Sequence, residues 1–203
     1  MSSTAVTWGF ARSSRDDDSL RPAYAAGVVA ACTVLVPRVA VVTLALNHDV
    51  GIAVLPYLAA PFVAGLAFTW WTARTPNVLQ SSADETPRSP LRLRAALQMA
   101  LVFQVVLLLM GLVRTQFGDA GVYMTAALFG TTDVDAITVA MTRMDQGEFA
   151  TVAARAIVVA VTSNTLVKLL IAAAIGRGAF RSRVALALAV MLASLVASLL
   201  LLR

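Results

Sequence analysis

In this chain of 203 residues, 59% are hydrophobic, 13% are charged and the formal net charge is +5. That balance excludes an ordinary soluble domain and points to an all-α, polytopic transmembrane bundle forming one unit. The lone Cys32 and lone His48 exclude a disulfide framework and a Cys/His metal site, and the positive charge lies on arginines at the ends of apolar runs, without the basic stripe that nucleic acid requires.

Residues 1–20 are polar, with Ser13, Ser14 and the run Asp16, Asp17, Asp18, and have neither a separate apolar core segment nor a small-residue cleavage site. They read as a cytoplasmic tail. A first apolar run follows from Pro22 to Asn47 with Arg38 as its only charge, and Asn47, His48 and Asp49 close it with a tight polar turn. The second run, Val50 to Thr72, is uncharged. Its Pro56 and Pro61 predict a kinked or loosely started helix, and Trp70 and Trp71 sit where an aromatic belt belongs. Together, 21–73 read as a transmembrane hairpin.

Residues 74–94 have the Ser, Pro, acidic and Arg content of a solvated cytoplasmic loop. The bundle 95–203 opens with a clean third span, Ala95 to Val113, in which Gln98 and Gln104 supply interhelical hydrogen bonds. From Val122 to Met144 the pattern is broken by Gly130, Thr131, Thr132, Asp133 and Asp135, leaving two apolar pieces of roughly ten residues, each too short to cross. Asp133 is placed to cap the second piece, so two half-helices meeting at a polar break are expected within 122–145. Phe149 to Ile175 is a long run with a polar centre of Thr162, Ser163, Asn164, Thr165 and Lys168, and Val184 to Leu202 is a plain final span.

Three arginine groups, Arg12/Arg15/Arg21, Arg74/Arg88/Arg92/Arg94 and Arg177/Arg181/Arg183, are expected to face the cytoplasm. Arg94 and Arg177 share a side only if the broken segment is re-entrant. The reading is five full spans plus a re-entrant pair, with six spans as the alternative, in a multi-pass inner (plasma) membrane protein whose N-terminus is cytoplasmic.

Three polar strings occur in order: Gly118-Asp119-Ala120-Gly121-Val122-Tyr123; Gly130 with Asp133-Val134-Asp135-Ala136-Ile137-Thr138; and Ser163-Asn164-Thr165-Leu166-Val167-Lys168. With Arg38-Val39 and Asn47, they resemble the membrane domain of unknown function 4010 that often follows the MgtC/SapB domain in bacterial and archaeal proteins. The resemblance covers nearly everything after Trp8. It implies a multi-spanning membrane protein with a link to magnesium-associated transport, and it leaves the substrate open. No span precedes Pro22, so an MgtC/SapB domain is not expected here.

Ionisable groups inside a bilayer cost several kcal/mol and by default face the bundle interior in pairs. The central candidates are Arg38, Asp133, Asp135 and Lys168, whose two positive and two negative charges can form one neutral cluster. Asn164 and Lys168 are four apart and share a helix face, with Thr165 and Ser163 beside them and Asn47 and Asp119 added by the family pattern. The functional reading is a substrate or ion pathway through Arg38, Asn47, Asp119, Asp133, Asp135, Ser163, Asn164, Thr165 and Lys168. In it the carboxylates take a cation or proton and a basic side chain serves as internal counter-ion. The bland reading is a set of structural ion pairs. Arg114, Arg143 and Arg155, near span ends, are read as snorkelling to headgroups.

The expected function is a secondary transporter or permease for a small ion or polar solute. The alternative is a non-transporting membrane partner or regulatory subunit, for instance of a separately encoded MgtC-like protein. Enzyme chemistry is not expected, because no nucleophile, metal triad or cofactor motif accompanies the acids, and no cofactor is implied. Beyond the lipid bilayer, a homodimer is expected, since one copy offers little interior for a cavity.

Overall fold

A computed structural model describes residues 3–16, 18–73, 93–144 and 149–202. The described residues are all-helical: α1 (Ser3–Ser13), α2 (Arg21–Leu46), α3 (His48–Ala73), α4 (Leu93–Gly130), α5 (Val134–Met144), α6 (Ala150–Ile175) and α7 (Gly178–Leu201). Four of them, α2, α3, α6 and α7, are long and apolar enough to cross a membrane. Each holds 24 to 26 residues, a length of about 36–39 Å against a hydrocarbon core of ~30 Å.

The expected hairpin is present as α2 and α3, joined by Asn47 alone. The Asn47 side-chain oxygen accepts from the backbone N–H of Asp49 (3.1 Å) and Val50 (3.2 Å), so one amide starts α3 immediately after α2 ends. Despite Pro37, Pro56 and Pro61, both helices run unbroken, each proline removing one ladder bond. Trp70 and Trp71 lie exposed at the end of α3. Helix α6 is the hub, packed against α1, α3, α4, α5 and α7. Ala153, Ala154, Ala156 and Ala160 are buried on it, and such small side chains let helices approach closely where lipid provides no hydrophobic drive.

The N-terminal tail corrects the sequence reading, because residues 3–13 form α1, which packs on α6 and α2. Its polarity is satisfied locally. Thr7 donates to the Ser3 carbonyl (2.9 Å) and Ser14 to the Ala11 carbonyl (2.7 Å), so Thr7, Ala11 and Ser14 can be buried. Phe10 stacks on Tyr24 at 5.3 Å. Arg15 Nε donates to the Ile175 carbonyl (2.9 Å), and Ser14 Oγ accepts from the Arg177 N–H (3.3 Å), fixing this end of the bundle to the α6–α7 turn.

The polar loop reading for 74–94 falls almost wholly on 74–92, outside the described residues. The span read at Ala95 to Val113 is helical backbone within α4; the side chains of Arg94, Gln98 and Arg114 lie outside the described residues, and Gln104 is exposed. Helix α4 is interrupted at Gly118 (φ 56°, ψ −146°), a conformation essentially reserved for glycine. A Cβ at Gly118 would meet nothing within 4 Å, so its backbone alone carries the constraint. Gly118→Ala should lower stability by about 1–3 kcal/mol, read as a fall in detergent melting temperature, whereas Gly9→Ala, also in open space, should not.

Candidate functional site

The expected break is present, with 119–130 ending at Gly130, three residues turning, and α5 starting at Val134. Asp133 caps α5 as expected: its Oδ1 accepts from the backbone N–H of Asp135 (2.9 Å) and Ala136 (3.3 Å). On the other side, Asn164 Nδ2 donates to the Gly130 carbonyl at 3.0 Å. Gly130 lies so close to α6 that a Cβ there would stand 2.5 Å from Ala160 Cα and 2.7 Å from its carbonyl oxygen. Only glycine permits this approach.

These contacts set the depth of the break. Asn164 is near the midpoint of α6, so the tip of the broken segment is anchored at mid-height of the hub helix. The far end of α5 lies at the α2–α3 turn, where Asn47 Nδ2 donates to the Thr142 carbonyl (3.4 Å). The far end of 119–130 lies at the same end of the bundle, since Tyr123 interacts with Arg155 near the start of α6. Both pieces therefore run from one end of the bundle to its middle, forming a helical hairpin.

Arg38 of α2 pairs with Asp135 through Nη2 and Oδ2. Lys168, fully buried one turn beyond Asn164 on α6, has no hydrogen-bond partner for its Nζ among the described residues, and the 4%-exposed Asn164 has none for its Oδ1. A single neutral cluster of four charges is thus corrected. Asp135 is held by Arg38 and Asp133 by the α5 amides, while Lys168 is bridged to neither. Cys32 of α2 is close enough to interact electrostatically with Lys168.

The remaining candidates divide. Thr165 is buried and donates to the Val161 carbonyl (2.8 Å), a bond within α6, and Ser163 is half-buried beside it. Asn47 serves the turn and α5 at the end of the bundle, and Asp119 is exposed next to Gly118; neither reaches the break. Among the described residues, no group of three or more His, Cys, Asp or Glu is placed to hold a metal ion.

Arg155 departs from the snorkelling reading. Its Nε donates to the Tyr57 hydroxyl (3.2 Å) and its Nη2 to the Leu202 carbonyl (3.1 Å), while Tyr57 donates to that same carbonyl (2.7 Å). A tyrosine inside an uncharged apolar run needs a partner for its hydroxyl, which was the available signal. On the outer side of the hairpin, Val113, Phe117, Gly121, Met124, Leu128 and Thr131 help to line an apolar groove of about 710 Å³ in the crook of the Gly118 kink.

A family profile described as Domain of unknown function (DUF4010) matches residues 1–176. The chain belongs to this family. An uncharacterized protein of Aquifex aeolicus (strain VF5) is 29% identical over 173 residues, which span 82% of this chain and 74% of that protein. No solved structure matches.

The Arg38–Asp135 pair predicts a rescue experiment. Arg38→Asp and Asp135→Arg should each lower the detergent melting temperature, and the double exchange should recover most of the loss, a coupling of about 0.5–3 kcal/mol. A double variant no more stable than additivity allows would show that the pair does not hold α5 on α2.

Proposed function

We propose that the protein is a multi-pass membrane permease for a small ion or polar solute, with its site at the tip of the 119–144 hairpin against the middle of α6. One observation carries the reading: an interrupted backbone is fixed at mid-height of the hub helix, one turn from a fully buried lysine whose Nζ has no hydrogen-bond partner among the described residues. Irregular backbone at membrane depth survives only when protein buries it or it lines a wet cavity, and discontinuous helices of this kind hold substrate and coupling ions in secondary transporters. An ionisable side chain buried at membrane depth is by default a functional-site candidate.

In this reading, Arg12, Arg15, Arg21, Arg177, Arg181 and Arg183, grouped around the α1–α2 and α6–α7 turns, mark the cytoplasmic end of a plasma-membrane protein. The hairpin enters from the opposite face and does not cross. Residues 93–117 supply the third of five full spans. A second reading, a non-transporting membrane partner or regulatory subunit of another membrane protein, rests on the exposed Phe117, Met124 and Leu128 that line the apolar groove.

The test is uptake by proteoliposomes from a panel of monovalent cations, amino acids and small organic anions. At least one solute should enter well above the rate of protein-free vesicles. Asn164→Ala should lower that rate about five- to tenfold, because losing one anchored hydrogen bond at the site is worth ~1–1.5 kcal/mol. Folded wild-type protein that matches protein-free vesicles for every solute would contradict the reading.

A further inference from the structure

The proposed site has an unusual balance of charge and hydrogen-bonding capacity, and that balance defines what would complete it. Lys168 Nζ is a donor with no acceptor among the described residues. In an apolar interior, an ammonium without a counter-charge is destabilised by several kcal/mol. The two acids of the facing hairpin are committed elsewhere, Asp135 to Arg38 and Asp133 to the first amides of α5. For Lys168 to carry its charge here, the site must gain one negative charge.

Asn164 adds a second and different requirement. Its Nδ2 is held on the Gly130 carbonyl, which fixes the amide at the break and leaves Oδ1 as a buried acceptor without a donor. Asn164 and Lys168 are one turn apart on one face of α6, a spacing of about 5–6 Å between Cβ atoms. A ligand of a few heavy atoms can touch both. It must present a negative oxygen to Lys168 and a hydrogen to Asn164. A metal cation could take the Asn164 oxygen as a ligand, but it brings Lys168 no counter-charge and is repelled by the protonated amine.

We propose that Asn164 and Lys168 together bind a small monovalent oxyanion that keeps one hydroxyl hydrogen, the class that includes hydrogencarbonate and the 2-hydroxycarboxylates. The inference rests on the permease reading and names its substrate class. The oxyanion neutralises Lys168, and its hydroxyl donates to Asn164 Oδ1 beside the Gly130 carbonyl. Both side chains are closed off from solvent, so entry requires the hairpin tip to move. The Gly118 interruption at the base of the 119–130 piece is a hinge suited to that movement.

Calorimetric titration of the detergent-purified full chain tests this with sodium glycolate and sodium acetate at fixed ionic strength, with sodium chloride as the control titrant. Glycolate should bind saturably and about tenfold tighter than acetate, the difference one buried hydrogen bond makes. Lys168→Met should abolish binding of both anions, Lys168→Arg should retain it, and Asn164→Leu should bring the two affinities together. The wild-type titration is decisive even where a variant does not fold: no saturable binding of either anion overturns the proposal, and equal affinity overturns the hydroxyl requirement. Proteoliposomes separate this inference from the reading beneath it. Anion binding without anion uptake would overturn transport and leave the site standing, whereas cation uptake without anion binding would overturn the site and leave transport standing.

Discussion

The structure depends on how one short stretch of non-helical backbone, 131–133, is kept satisfied at mid-height of an apolar bundle. A buried backbone carbonyl or amide left without a partner costs ~1–3 kcal/mol, and lipid offers no replacement. Two side chains solve most of the problem. Asn164 donates to the carbonyl of Gly130, and Asp133 accepts from the first amides of α5. The turn itself is closed by Thr131 and Thr132, whose hydroxyls donate back to the Leu128 and Phe129 carbonyls at 2.6 and 2.8 Å. Remove Asn164 and the tip loses its link to the helix that fixes its depth.

The rest of the architecture places that link. Helix α6 carries a face of alanines, so the hairpin can approach until Gly130 rests against Ala160 backbone. The base of the hairpin is tied at one end of the bundle by Asn47 to Thr142, and its flank by Arg38 to Asp135. At that same end, Arg155, Tyr57 and the Leu202 carbonyl join α6, α3 and the end of α7. The opposite end is locked by α1 through Ser14 and Arg15. Between these two tied ends, the tip of the hairpin is held on α6 through Asn164, one turn from the buried Lys168.

Much of this was legible in the sequence for identifiable reasons. Charge-free runs of more than twenty residues can only be long apolar helices, and an aspartate before an apolar run after Gly-Thr-Thr is a strong break-and-cap signal. Which charges pair was not legible, because four ionisable residues on three segments permit several pairings and only the packing of α5 on α2 chooses Arg38 with Asp135. That choice leaves Lys168 without a carboxylate partner among the described residues. Helix α1 escaped notice because Thr7 and Ser14 look polar in sequence yet bond their own backbone, leaving small side chains fit for burial. Arg155 reads as a headgroup anchor until the fold brings the end of α7 to it.

The most direct test of the account is the sidedness of the hairpin. In a Cys32→Ser background, single cysteines at Asp49, Asp119 and Arg143, all exposed, are labelled in sealed vesicles with a membrane-impermeant maleimide, alongside cysteines at Arg12 and Arg181. The account predicts that positions 49, 119 and 143 react from one face and positions 12 and 181 from the other. Labelling of 119 and 143 from opposite faces would make 119–144 a crossing segment and contradict the hairpin on which the proposed site is built.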